Sequence, residues 1–210
     1  MPFLDGSSLK IGASPCSAPA AFTPSVHLGI GVDAEDFRLS PTTHSGLFSF
    51  HLLPPTAPLM QGYWQLRSTI FCQEQHLFEE HDRDDRDDRA YPIAAIHPGA
   101  AQFFGVVGVV RILEEKAGLW YGGRLGVKDS YRRQNQIGKG LIWKAVTTAH
   151  GWGAQRFLAT VQLQNVRFFE RLHWHSLESM DIRGVRHHLM EADLAYYEPA
   201  SQRRPGLMAA

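Results

Sequence analysis

Apolar residues along this chain recur with two periods that take turns. In residues 47–53, Phe48, Phe50 and Leu52 occupy every second position, which predicts a short strand closed by Pro54 and Pro55. Thr56 then stands as a helix cap before Leu59, Tyr63, Leu66 and Ile70, spaced three and four apart on one helical face. Residues 93–96 read as a short buried strand. Residues 104–113 and 119–127 are rich in β-branched and aromatic side chains, and the intervening 114–118 predicts a hairpin. Ile137, Leu141, Ala145, Val146 and Ala149 draw a helical stripe that ends near Gly151 and Gly153. Residues 157–161 predict a strand, 165–172 a short helix, and 177–180 with 185–189 a final hairpin across Arg183 and Gly184. Strands and helices interleave, so the fold class is α/β with a mixed sheet, and no internal repeat is visible.

The flanks lack either period. Residues 1–44 are dominated by Pro, Ser, Ala, Gly and Thr, and such a segment buries too little apolar surface to offset its ordering entropy. Residues 199–210 read the same way. Both are expected to be disordered, which leaves 45–198 as one domain of about 150 residues. Lys and Arg total 21 against 21 Asp and Glu, a net charge of zero, which argues against a dedicated nucleic-acid binder because that function needs excess cations. No apolar run approaches the roughly 18 residues of a membrane span, and the first residues do not resemble a signal peptide. Cys16 and Cys72 are the only cysteines, too few for a disulfide framework or a cysteine-built metal site. These features predict a soluble cytoplasmic protein with no membrane or nucleic-acid partner.

The densest chemistry lies in residues 125–142, L-G-V-K-D-S-Y-R-R-Q-N-Q-I-G-K-G-L-I. A strand runs through a short loop into an amphipathic helix, with Lys128, Arg132, Arg133 and Lys139 set against Asp129 alone. Gly138 and Gly140 are placed in the first helical turn, where a missing Cβ lets a ligand approach the backbone. The first N–H groups of a helix lack partners and sit at the positive end of its dipole, so the segment predicts an anion cradle. It is neither a P-loop nor a dinucleotide fingerprint. The other reading is an ordinary strand-to-helix turn with solvated basic residues.

The run L-x-V-x(4)-R-R-x-x-x-I-G-K-G-L-I resembles the acetyl-CoA-binding motif of the GNAT N-acetyltransferase superfamily, in which R/Q-x-x-G-x-G/A opens a helix. Arg133 takes the first motif position, Gln136 stands where Gly is usual, and Gly138 is the second glycine. R-x-x-I-F-x-x-E-Q at 67–75 is similar to the first-helix motif of many members, and V-Q-x-x-N-V-x-F-F-E-R-L at 161–172 to their fifth strand and following helix. A closer likeness is to a bacterial subgroup encoded beside nitrilase and radical-SAM proteins and labelled nitrogen-starvation acetyltransferases.

The resemblance implies a mixed, mostly antiparallel sheet flanked by helices, with the fourth and fifth strands splayed to admit pantetheine. It implies acetyl-CoA as co-substrate, no metal, and a small-molecule amine as acceptor. Leu125 and Val127 would offer backbone groups to the pantetheine amides, and the N–H near Leu125 would donate to the thioester oxygen as it becomes an oxyanion. The N–H groups of Gln134, Asn135, Gln136, Ile137, Gly138, Lys139 and Gly140 would hold the pyrophosphate, helped by Arg132 and Arg133. Asn165 would contact the pantetheine arm. Glu74 is the candidate general base, with a helix-end carboxylate in a salt bridge as its other reading. Many relatives carry a Tyr that protonates the departing thiolate; this chain has Phe169 there, followed by His173 and Trp174 in place of Gly-Phe. The implied activity is acetyl transfer to an amine by direct attack. A non-catalytic acyl-CoA-binding module and a transferase of a longer acyl chain are the alternatives, and the oligomeric state is open between monomer and homodimer.

Residues 79–89, E-E-H-D-R-D-D-R-D-D-R, form a charge run. It reads either as a solvated loop with internal ion pairs or as an acidic rim that favours a cationic amine. His173 and His175 would share a strand face if both lie on a strand, but without an accompanying carboxylate or cysteine they read as ordinary histidines. Trp120 and Tyr121 read as core or pocket walls, and Cys72 as a small buried hydrophobe.

Overall fold

The structure, a computed structural model, describes residues 47–206 except 134 and 183, and the backbone alone at 135. The expected segment 1–44, and 207–210 of the expected tail, lie outside the described residues. Seven strands form one sheet in the order β1-β2-β3-β4-β5-β7-β6. They are β1 (Ser49–Leu52), β2 (Tyr91–Ile96), β3 (Val106–Lys116), β4 (Leu119–Val127), β5 (Arg156–Gln162), β6 (Trp174–Ile182) and β7 (Val185–Ala192). Every neighbouring pair is antiparallel except β4 and β5. The helices are α1 (Leu59–Ser68), α2 (Asn135–Gly151) and α3 (Val166–Glu170), so the sequence-based class holds.

Each helix covers the sheet with the stripe its periodicity announced. On one face Ile137, Leu141 and Val146 of α2 pack with Val107, Leu125 and Val127 in the larger core. On the other, Tyr63 and Leu66 of α1, with Ile70 beyond it, meet Ala94, Val106 and Val109. Burying each of these side chains contributes about 1.5–3 kcal/mol before entropic costs. Gly140 in α2 shows how close the layers come: a Cβ there would overlap the Phe50 ring of β1.

Three local expectations are corrected. Thr56 does not cap α1; the helix begins behind Pro58, whose φ of −54° is already helical. The 104–113 strand starts later, because Phe103 and Phe104 adopt left-handed φ values of 54° and 53° in the turn Gln102–Gly105. The tail is not free over 199–206. The Ala200 N–H donates to the Thr147 carbonyl at 2.9 Å, and Trp152 Nε1 donates to the Gln202 carbonyl at 2.7 Å. Arg204 lies 5.4, 4.9 and 6.0 Å from the ring centroids of Tyr91, Trp120 and Trp152, and donates to Glu114 at 2.7 Å. Composition reports what a segment buries of its own, and here the docking surface belongs to the domain body.

Candidate active site

The sheet opens between β4 and β5. Their parallel pairing runs from Leu119–Arg156 to Gly122–Ala159 and stops there, although β4 continues to Val127 and β5 to Gln162. Backbone groups beyond Gly122 on that side therefore lack a strand partner. At the foot of the gap lies an apolar cavity of about 20 Å³, whose walls include Gly122, Gly123, Leu125, Phe157, Phe169 and Trp174. Phe169 is fully buried edge-on against Trp174, with centroids 5.1 Å apart, so it serves as a wall.

β4 carries a bulge at this opening. Between the pairs Arg111–Gly123 and Val109–Gly126, β3 advances two residues and β4 three, so Arg124 and Leu125 together oppose Val110. Arg124 has φ 54°, left-handed and strained for a residue with a side chain. Gly126 follows, where a Cβ would come within 2.8 Å of Ile70.

Beyond Val127 the chain turns through Asp129–Tyr131 and enters α2 at Asn135. Of the expected cradle, Leu125, Val127, Ile137 and Gly138 are buried, whereas Arg133 and Gln136 are exposed at the helix entrance. Gln134 lies outside the described residues. Gly140 is not in the first turn of α2; it faces Phe50, so its lack of a Cβ serves packing. The Ile137 side chain is wholly in the core, which leaves only its N–H for a ligand. Arg132 is engaged three ways: Nε donates to the Val127 carbonyl at 2.9 Å, Nη1 to Asp129 at 3.2 Å, and Nη2 to Glu74. Glu74 ends a π-helical turn, Thr69–Glu74, that continues α1 and lies along β4 through Ile70 and Phe71. The structure thus brings the expected base and a cradle arginine together as an ion pair.

Residues 79–89 are neither a solvated loop nor a wholly acidic rim. Asp82, Asp84 and Asp87 turn inward onto Arg67 of α1, Arg111 of β3 and Arg124 of β4, all fully buried. Arg67 grips Asp87 through two bonds of 2.7 and 3.0 Å and Asp82 at 2.7 Å. Arg111 grips Asp84 through bonds of 2.5 and 2.8 Å. Arg124 donates to the Asp82 carbonyl at 2.9 Å and to Asp84 at 3.1 Å. Burial alone would raise the Asp84 and Asp87 carboxyls, but the arginine hydrogen bonds and charges outweigh it and hold both below the ordinary range. Burial, and then the charges of Arg111 and Arg67, press the Arg124 guanidinium down to about 10. Glu79, Glu80, Asp85 and Asp88 stay on the outer surface.

Sequence reasoning missed this cluster, although a signal was present. Arg67, Arg111 and Arg124 each interrupt an apolar stretch at a core-facing position, and a buried cation needs a carboxylate. The one dense acidic run supplies them. Asn165 is buried before α3, and its Nδ2 has no hydrogen-bond partner among the described residues. His173 sits outside β6 with φ 61° and stacks on Tyr196 at 3.7 Å, so it shares no strand face with His175. Among the described residues no group of His, Cys, Asp or Glu is arranged to hold a metal, and no helix is long and apolar enough to cross a membrane. Burial, and then the Asp82 charge, push the Cys72 thiol up, consistent with a packing role.

The unpaired strand ends, the helix entrance beside Arg133 and the orphaned Asn165 amide together fit an extended ligand with amide groups and a terminal phosphate. Residues 59–174, more than half of the chain, match the profile of the acetyltransferase (GNAT) family. No curated protein matches the chain. The structure of Escherichia coli ElaA is similar at a TM-score of 0.58 and 21% identity, covering 70% of this chain and 100% of that one. An acyl-CoA N-acyltransferase from Pseudomonas aeruginosa is similar at 0.54 and 16%, covering 69% and 97%. BjaI, a CoA-dependent acyl-homoserine lactone synthase solved with SAM and isopentyl-CoA, is similar at 0.54 and 13%, covering 63% and 74%. At these identities the likeness to solved structures is one of fold.

Proposed function

Since the chain belongs to the acetyltransferase (GNAT) family and is an acyltransferase on that ground, we propose that it moves an acetyl group from acetyl-CoA to the amine of a small-molecule acceptor. The observation that carries this reading is the β4–β5 pairing that ends at Gly122–Ala159 above an apolar cavity of about 20 Å³. Its walls are apolar side chains packed at interior density, so a short acyl group displaces them least.

In this reading the gap-facing backbone of Leu125 and the Val127 N–H hold the pantetheine arm in the gap, and the Asn165 amide donates to one of its carbonyls. The first-turn N–H groups of α2 and the Arg133 guanidinium hold the pyrophosphate. Arg132 serves the cradle indirectly, by fixing the Val127 carbonyl and the end of the π turn. The acceptor nitrogen attacks the thioester carbon, the C–N bond forms, and the C–S bond breaks to release the thiolate. The Leu125 N–H stabilises the oxyanion between those events. Glu74, held by Arg132, takes the amine proton through a bridging water. Phe169 supplies no proton, so the thiolate leaves as the anion or takes a proton from water. The exposed Glu79, Glu80, Asp85 and Asp88 favour a cationic acceptor by potential.

The test is thiol release on mixing the protein with acetyl-CoA and a panel of polyamines, amino acids and aminoglycosides. Turnover with at least one amine is expected, and tight CoA binding without turnover across the panel would overturn the reading. Transfer of a longer acyl chain is the second reading, because BjaI was solved with isopentyl-CoA. Thiol release compared across acyl lengths separates the two, with acetyl expected to be fastest.

A further inference from the structure

We infer that Arg124 is a positioning residue for acyl transfer: its buried guanidinium, clamped by Asp82 and Asp84, holds the β4 bulge in the left-handed conformation that presents the Leu125 N–H to the gap. The inference rests on the proposed role of that N–H and goes beyond it, because it assigns the acidic segment a task in catalysis.

Three observations converge. First, the bulge decides which backbone groups face the gap. Along a strand successive N–H groups alternate between its two neighbours, so pairing residues 124 and 125 one-to-one with β3 would slip the register by one, set Leu125 opposite Val109 and turn its N–H toward β3. Second, the residue that makes the bulge has φ 54° and is not glycine. A side-chain-bearing residue in that region costs about 1–3 kcal/mol and persists only where its surroundings over-determine it. Third, the surroundings do so. The Arg124 guanidinium contacts Asp82 through the carbonyl at 2.9 and 3.2 Å and the carboxylate at 3.2 Å, and reaches Asp84 at 3.1 Å. It also lies 4.6 Å from the Phe78 ring centroid. Asp82 and Asp84 are themselves fixed by Arg67 and Arg111 from α1 and β3. The clamp therefore ties the strained residue to α1 and β3, which flank β4 on the side away from the opening, and it needs no contact with substrate.

The test compares Arg124→Ala with Arg124→Gly. Both lose the same ion pairs, but only glycine accepts the left-handed backbone without strain. Arg124→Ala is expected to lower kcat by about 100-fold, the usual effect of losing one oxyanion donor. The KM for acetyl-CoA should stay within about three-fold, because the phosphate cradle is untouched. Arg124→Gly should recover about ten-fold of the kcat lost, in line with the strain it relieves. Equal kcat in the two variants, or a kcat that matches the unaltered protein in both, would overturn the inference. Should either variant fold poorly, Asp84→Asn keeps the side-chain volume and loosens the same clamp; it should lower kcat with unchanged KM, and an unchanged kcat counts against the inference. A protein with no transferase activity at all refutes the proposed reaction instead. The inference is then decided by the backbone amide resonance of Leu125, which should move in Arg124→Ala and return toward its original position in Arg124→Gly. A resonance that stays put in both variants overturns it.

Discussion

Arg132 and Arg133 are adjacent cations, and the structure gives them different work. Arg132 is tied to Val127, Asp129 and Glu74, whereas Arg133 is exposed at the α2 entrance. Arg133→Glu is therefore expected to weaken CoA binding by tenfold or more, about 1.4 kcal/mol, since it sets an anion against the pyrophosphate. Isothermal titration reads this directly, and an unchanged affinity would remove Arg133 from the cradle. Phe169 offers a second residue-level test. Its ring closes the cavity at the foot of the gap, so Phe169→Ala should raise turnover with propionyl- and butyryl-CoA relative to acetyl-CoA. The same change should cost about 3–5 kcal/mol of stability, measured by denaturant unfolding. An acyl preference that does not shift would place the acyl group elsewhere.

At the scale of elements, the C-terminal strap shows how composition misleads. Residues 199–206 contain little apolar surface of their own, yet Arg204 fills the space between Tyr91, Trp120 and Trp152 and bonds the Tyr91 hydroxyl at 2.9 Å. A cation over a half-shielded ring contributes about 0.5–2 kcal/mol. Arg204→Ala should therefore lower the melting temperature by roughly 2–6 °C in a domain of this size. A melting point within error of the unaltered protein would show that the strap is an ornament of the fold. The π turn gives the opposite lesson: nothing in residues 69–74 distinguishes it by pattern from ordinary helix. It arises where α1 must end against the unpaired half of β4, with Gly126 leaving room for Ile70.

For the whole molecule, the neutral charge total conceals a separation into a buried balanced cluster and exposed charges. That cluster makes stability sensitive to acid. The Asp84 and Asp87 carboxyls have native pKa values below their unfolded ones, so protons bind the unfolded chain first as pH falls. Their contribution is complete above the ordinary Asp value of about 4 and drains away as pH drops below it toward the lower native values. Thermal melts from about pH 7 to pH 3 should show this loss, and Asp87→Asn should both lower stability by about 3–5 kcal/mol at neutral pH and flatten the acid limb. A variant with the parent's acid limb would show that the cluster is not the acid-sensitive element.

The sequence by itself determined the order and type of the main elements, because amphipathic stripes such as Ile137–Leu141–Ala145 and alternations such as Phe48–Phe50–Leu52 are local properties of the chain. It also determined the strand-to-helix turn at 127–135 and its basic character, since a motif of contiguous residues needs no long-range information. Only the tertiary structure decided where the sheet opens, how large the cavity beneath it is, and that Arg124 stands left-handed in a bulge. It alone placed Asp82, Asp84 and Asp87 against arginines up to 42 residues away, and set Glu74 on Arg132 across 58 residues. A charged residue carries no mark of its partner in the sequence; the partner is fixed by which burial site would otherwise leave a charge uncompensated, and that is known only once the elements have packed.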